Sequence, residues 1–186
     1  MTFGLLHWAA MPSPFASDDP GDLIAAEVAV REAFGDFALD FRALQAVSNI
    51  FRVATAVRNH MERVVLAPPE LSWSAFVVLF VLRVWGGQES RHLASEAGIT
   101  PATLTGVVDT LTKRDLVARG PHRADRRRVI VTLTPAGRSV IDAVMPTFNN
   151  EEAAVTSGLS ERERDGLATL LRSVLRTVAT LDADYC

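Results

Sequence analysis

The sequence predicts a mainly α fold carrying one small β-hairpin, an α+β chain in which helices dominate. Apolar residues recur at three- and four-residue spacing over much of its 186 residues, the period of an amphipathic helix. Only two short stretches, 116–119 and 129–133, read as strands. Between them and the preceding core lie two short helical segments with a small residue, a glycine and apolar positions at helix-turn-helix spacing.

The elements follow in chain order. Pro12, Pro14 and the run Ser17-Asp18-Asp19-Pro20-Gly21 mark a loop after an N-terminal tail. Leu23 to Phe34 reads as a short apolar helix stopped by Gly35. Residues 1–36 are therefore expected to form an extension with one helix, and 37–186 the main domain. A longer helix is predicted from about Asp40 to Leu66, ended by Pro68-Pro69, with Leu44, Val47, Phe51, Ala54, Val57, Met61 and Val64 as its stripe. A stripe so long and narrow suits packing on another helix. Ser72 caps the next helix, whose Trp73, Phe76, Val77, Leu79, Phe80, Val81, Leu82 and Val84 leave almost no polar face. A helix apolar all round belongs in a core, and Gly86-Gly87 ends this one.

Ser90 to Ala97 reads as helix, with Gly98 as the left-handed residue beyond its end. Thr100 caps the following helix, and Pro101 takes the first position, where a missing N–H costs nothing. Leu104, Val107, Val108 and Leu111 form its buried face. Leu116–Arg119 and Val129–Leu133 are the strands, the second alternating Val129, Val131 and Leu133 against Ile130 and Thr132. Thr134-Pro135 opens a helix reaching about Val155. Ser160 and Glu163 make a capping box for the last helix, striped by Leu167, Leu170, Leu171, Val174, Leu175, Val178 and Leu181.

Composition sets the limits. Hydrophobic residues make up 48% and charged residues 22% of the chain, which excludes global disorder. The longest apolar run, Ala75 to Leu82, is too short to span a membrane, so no membrane partner is expected. Cys186 is the only cysteine, which excludes an intrachain disulfide and a thiolate-rich metal site. Asp182 and Asp184 near it disfavour a thiolate, so an inert thiol is expected. The start, MTFGLLHWAAMPSPFASDD, has no basic leading segment, and His7 interrupts its apolar stretch. It reads as a loosely ordered extension rather than a signal peptide, with cytoplasm as the default location. The net charge of −3 argues at first sight against a polyanionic partner.

The segment RHLASEAGITPATLTGVVDTLTKR answers that argument in part. Ala94 supplies the small residue where two helices cross, Gly98 the turn and Ile99 the plug. Leu104 and Val107 anchor the second helix on the first, and Leu93 and Ala97 complete the buried set. Ala102, Thr103, Thr105, Gly106, Asp109 and Thr110 are left facing outward. Such a small, hydroxyl-bearing surface can approach base edges, where threonine donates, accepts and offers a methyl to thymine. The helix start adds free N–H groups for phosphate.

Charge supplies the rest. Eighteen of the 19 basic residues are arginine, a bias given no weight by itself. From Lys113 to Arg128 there are seven basic side chains (Lys113, Arg114, Arg119, Arg123, Arg126, Arg127, Arg128) against Asp115 and Asp125, a net +5. The remainder of the chain therefore carries −8. A charge run is usually solvated surface, but this one follows a helix-turn-helix and runs through the loop between two strands. That placement points to a phosphate-lined groove.

Helix-turn-helix followed by LVARGPHRADRRRVIVTLTPAGR resembles the MarR family of winged-helix regulators. The likeness runs from roughly Asp40 to Leu181 in element order and is sharpest from Leu93 to Arg138. The family's wing signature is aspartate, any residue, arginine, then a strand and Leu-Thr-x-x-Gly. Here Asp125, Arg126 and Arg127 precede Val129-Ile130-Val131 and Leu133-Thr134-Pro135-Ala136-Gly137. The resemblance implies that Arg127 enters a minor groove with Asp125 orienting it, in line with arginine's preference for narrow grooves. Where the family usually has a small residue this chain has Arg128, expected to add a phosphate contact. The candidate DNA contacts are Ser90, Thr100, Ala102, Thr103, Thr105, Gly106, Thr110, Lys113, Arg123, Asp125, Arg126, Arg127 and Arg128.

The resemblance further implies dimerisation helices at about 40–66 and 135–181, a winged helix-turn-helix at about 71–134, and a homodimer. Two recognition helices about one DNA turn apart would read a pseudo-palindromic operator on double-stranded DNA. Residues 1–36 lie outside the common core and either extend the dimer interface or are dispensable. Family members commonly bind small aromatic acids, which makes Phe51, His60, Trp73, Phe76 and Phe80 candidate contacts to an aromatic or phenolic effector. Plain hydrophobic core is the simpler account of the same residues.

Other chemistry finds no support in the sequence. His7, His60, His92 and His122 show no metal spacing with one another or with Cys186, so no metal and no cofactor is expected. No GxSxG elbow or phosphate loop is present, so no enzyme activity is expected. The leading expectation is a dimeric transcriptional regulator, a repressor released by a ligand. The alternatives are a DNA-binding structural module without an effector, and an enzyme that uses the winged helix for dimerisation, for which no catalytic domain follows.

Overall fold

The computed structural model describes residues 20–121 and 129–184. They form seven α-helices and a three-stranded sheet, and the chain divides into two compact units, 1–60 and 61–186.

The first unit holds α1 (Pro20–Phe34) and nearly all of α2 (Phe41–Met61). α1 begins at Pro20, inside the stretch expected to be loop. Proline is well tolerated at a first helical position, so a Pro-Gly pair need not delay a helix. Glu27 accepts hydrogen bonds from the Gln45 and Asn49 side-chain amides at 3.0 and 3.1 Å. The Arg31 guanidinium lies over the Phe41 ring at 5.2 Å, a cation–π contact. The Asp40 carboxylate accepts from the backbone N–H groups of Arg42 and Ala43, both at 3.0 Å, and so caps α2.

Among the described residues, every buried apolar residue lies in the second unit, from Met61 to Phe148. The helix expected to reach Leu66 does so, but its last turn, Glu62–Leu66, is π-helical. The extra residue per turn moves Val64 to the surface and puts Val65 and Leu66 inside, which corrects the predicted stripe. Glu62 then reaches forward to accept from the Trp73 backbone N–H at 2.9 Å. α3 (Trp73–Trp85) is capped by Ser72, whose hydroxyl accepts from the Ala75 N–H. It is the core helix, although Val84 and Trp85 at its end are exposed.

The sheet departs from the predicted hairpin. A strand of two residues, β1 (Gln88–Glu89), precedes α4 (Ser90–Glu96) and pairs with β3 (Val129–Leu133). β2 (Val117–Pro121) pairs along the other edge of β3, from Val117 opposite Leu133 to Pro121 opposite Val129. The order is β1-β3-β2, all antiparallel, with β3 central. Val131 is fully buried in the middle of β3, whereas Val129 at its first position is exposed, contrary to the predicted alternation. Strands as short as β1 carry no period of their own, so the sequence offered no signal for it.

α5 (Pro101–Lys113) lies between α4 and β2, and α6 (Pro135–Val155) and α7 (Glu161–Asp184) complete the chain. Arg83 of α3 donates to the Asp142 carboxylate of α6 at 2.6 Å. Three chain reversals share one device, a left-handed residue just past a helix end with two backbone bonds closing it. At Gly98 (φ 63°), the N–H groups of Gly98 and Ile99 bond the carbonyls of Ser95 and Ala94. Asp115 (φ 56°) and Glu70 (φ 53°) close the ends at Leu111 and Leu66 in the same way. This is the Schellman arrangement, used at two of three sites by a residue with a Cβ.

Candidate nucleic-acid interface

The helix-turn-helix is α4, the Gly98 turn and α5. Leu93, Ala94, Leu104, Val108 and Leu111 are buried, with Ile99 half-buried as the plug. Thr100 caps α5, its hydroxyl accepting from the Thr103 N–H at 3.1 Å, with Pro101 at the first turn. Ala102, Thr103, Thr105, Gly106, Thr110 and Lys113 are exposed on the opposite side, and Ser90 is half-buried at the start of α4. Seven candidate residues thus share α5 or its cap. Arg123, Asp125, Arg126, Arg127 and Arg128, with His122, lie outside the described residues.

Two of the outward threonines of α5 are not free donors. Thr105 and Thr110 donate to the carbonyls of Pro101 and Gly106 at 3.0 and 2.9 Å. Thr100 and Thr103 hydroxyls lie 2.9 Å apart. A threonine bonded back to residue i−4 presents its methyl and oxygen lone pairs outward. Thr105 and Thr110 therefore offer apolar contact and acceptors, a narrower repertoire than their sequence suggests.

The basic run is also partly committed. Arg114 donates to the Glu70 and Pro69 carbonyls at 2.6 and 2.8 Å, tying the end of α5 to the turn before α3. Arg119 on β2 pairs with Asp109 of α5 at 2.6 Å and reaches the Thr105 carbonyl at 3.4 Å. Neither partnership was visible in the sequence, where both arginines merely add to a charge count.

Leu-Thr-x-x-Gly has a physical basis here. The Thr134 hydroxyl accepts from the Gly137 N–H at 3.0 Å and donates to the Asp115 carbonyl at 2.5 Å. The Thr134 N–H bonds the Leu116 carbonyl at 3.2 Å. A Cβ on Gly137 would overlap that same Leu116 carbonyl. One threonine and one glycine thus lock the start of α6 onto the entry to β2.

The aromatic candidates separate. Phe51 is 67% exposed on α2, and His60 is half-buried near its end. In the second unit Trp73, Phe76 and Phe80 join Phe148, with Phe76 stacked on Phe148 at 4.3 Å between centroids and 4% exposed. Phe148 was not singled out in the sequence, although with Ile141 and Val144 it forms the buried face of α6 at helical spacing. Among the described residues no cluster of three or more His, Cys, Asp or Glu could hold a metal, and no helix is long and apolar enough to cross a membrane.

A helix-turn-helix followed by an antiparallel β2–β3 pair, with β1 on the far edge, defines a winged helix. The sequence model of the MarR family matches residues 71–129, which span α3 to the start of β3. YwaE of Bacillus subtilis, an uncharacterized HTH-type transcriptional regulator, is 35% identical over 142 residues, covering 76% of this chain and 83% of YwaE. NicR of Pseudomonas putida, an HTH-type transcriptional repressor, is 34% identical over 107 residues, covering 58% and 68%. The solved structure of Bordetella bronchiseptica BpsR, on regulation of its DNA binding by 6-hydroxynicotinic acid, superposes with a TM-score of 0.63 at 31% identity. It covers 69% of this chain and 98% of that one. The chain belongs to the MarR family of transcriptional regulators, as the resemblance had implied.

Proposed function

We propose that the protein is a homodimeric, sequence-specific DNA-binding repressor, cytoplasmic, which reads a pseudo-palindromic operator and is released by a small aromatic acid. The observation that carries this reading is the exposed face of α5, small and methyl-bearing, followed in the sequence by a sixteen-residue run, 113–128, of net charge +5. Residues 37–186 would supply the family domain and 1–36 an extension. Repression and release are supported by the relatives, one named a repressor and one regulated in DNA binding by an aromatic acid. Trp73 and Phe80, half-buried at the edge of the aromatic cluster, are the rings on offer to such an acid. The tight stacking of Phe76 on Phe148 favours the second reading, a DNA-binding module with no effector.

The test is fluorescence anisotropy on the DNA upstream of the chain's own coding sequence, with and without a panel of aromatic acids. Sequence-selective binding that a panel member weakens is expected. Flat affinity across unrelated sequences overturns the specific regulator, and indifference to every acid favours the second reading. Arg127→Ala should weaken operator binding by roughly 1–3 kcal/mol and flatten its salt dependence; unchanged binding in a salt titration removes the wing contact.

A further inference from the structure

Asp109 carries the wrong charge for a surface that meets a polyanion. It falls on the outward stripe of α5, at helical spacing from Ala102, Thr105, Gly106 and Lys113, opposite the buried Leu104, Val108 and Leu111. It is the only acidic side chain on α5. A carboxylate carried toward a polyanion repels it, and the repulsion grows as binding excludes water. Yet Asp109 does not stand as a free charge: the Arg119 guanidinium meets Oδ1 at 2.6 Å. A second nitrogen of the same guanidinium reaches the Thr105 carbonyl one turn earlier, so the group spans the helix from 105 to 109. β2 fixes where Arg119 starts from, because Arg119 is paired with the fully buried Val131 across the sheet.

Stability does not explain the pair. The side chains of Arg119 and Asp109 are 38% and 48% exposed, and ion pairs in that setting contribute little to folding. What the pair changes is the charge of the surface. We propose that Arg119 serves the DNA interface without touching DNA, as a positioning residue on the wing strand that cancels the charge of Asp109. This rests on the DNA-binding reading above. It also revises the electrostatics of the basic run, since the Arg119 charge is spent on α5.

The experiment compares wild type with Arg119→Gln, Asp109→Asn and the double variant, on the same upstream DNA across a salt series. Arg119→Gln keeps a donor for the Thr105 carbonyl and removes only the charge; Arg119→Lys keeps the charge. Arg119→Gln should bind about tenfold more weakly, Arg119→Lys close to wild type, and Asp109→Asn no more weakly than wild type. The double variant should return to within about twofold of wild type with the same salt slope. Melting temperatures should not track these affinities. A double variant as weak as Arg119→Gln, with its slope lowered by about one unit, makes Arg119 a phosphate contact and overturns the proposal. Wild-type binding with all variants indistinguishable overturns it too, leaving the DNA-binding reading intact. Wild type that retains no DNA overturns both.

Discussion

Gly137 and Thr134 show how two residues can fix the angle at which a helix leaves a sheet. Thr134 spends its N–H on Leu116, its hydroxyl proton on Asp115 and a lone pair on Gly137. The Leu116 carbonyl can come this close to α6 only because residue 137 has no Cβ. The contact is with backbone, which cannot rotate away. Gly137→Ala should therefore destabilise the fold by about 1–3 kcal/mol despite alanine's better helix propensity. Chemical denaturation should show a lower midpoint with an unchanged slope; a midpoint at or above wild type would mean that the junction yields freely. Asp115, left-handed at the other side of this junction, carries the steric cost of a Cβ where Gly98 carries none.

At the scale of elements, the helix ends were the most legible feature of the sequence. Thr100-Pro101, Thr134-Pro135, Ser72 and Ser160 are caps in the structure as they are on paper, because capping depends on residues three apart and on nothing distant. The π turn at Glu62–Leu66 and strand β1 were not legible, because each is imposed by packing rather than by local period. For the candidate interface, the sequence located the outward face of α5 but not the fate of Arg114 or Arg119, which is decided by partners up to 45 positions away.

The capping box of α7 makes a pH prediction. The Ser160 hydroxyl donates to the Glu163 carboxylate at 2.7 Å and the Ser160 N–H at 2.8 Å. These bonds, the hydroxyl first, hold the Glu163 carboxyl below its ordinary range. A lowered folded value means that the cap's contribution is complete above the ordinary glutamate range and is lost as pH falls through the lowered value. Amide protection in the first turn of α7 should therefore fail only in acid, and Glu163 should titrate below a free glutamate by NMR. Glu163→Gln should flatten that acid limb. A Glu163 midpoint at or above the ordinary value would show that the box is open in solution.

At the scale of the molecule, the net charge of −3 is a sum of unlike parts, +5 on residues 113–128 and −8 elsewhere. An acidic remainder discourages binding to DNA in any other orientation. The second whole-molecule feature is apolar surface. Of α2 only Met61 is buried, and α7 buries none of its apolar residues. Leu170 and Leu175 are 68% and 67% exposed, with Leu167, Leu171, Val174, Val178 and Leu181 also exposed along α7. A stripe of this extent is larger than monomeric proteins usually leave in water, and a second copy of the chain is the partner that the homodimer proposal assigns to it. Leu170→Asp with Leu175→Asp should then halve the mass measured by light scattering while leaving the winged helix folded. Binding to a full operator should fall far more than binding to half of one, because two recognition helices bridge one turn of DNA only when the copies are joined. If the mass stays that of two chains, the α7 stripe is not what joins them, and the spacing of the operator must be explained by another surface.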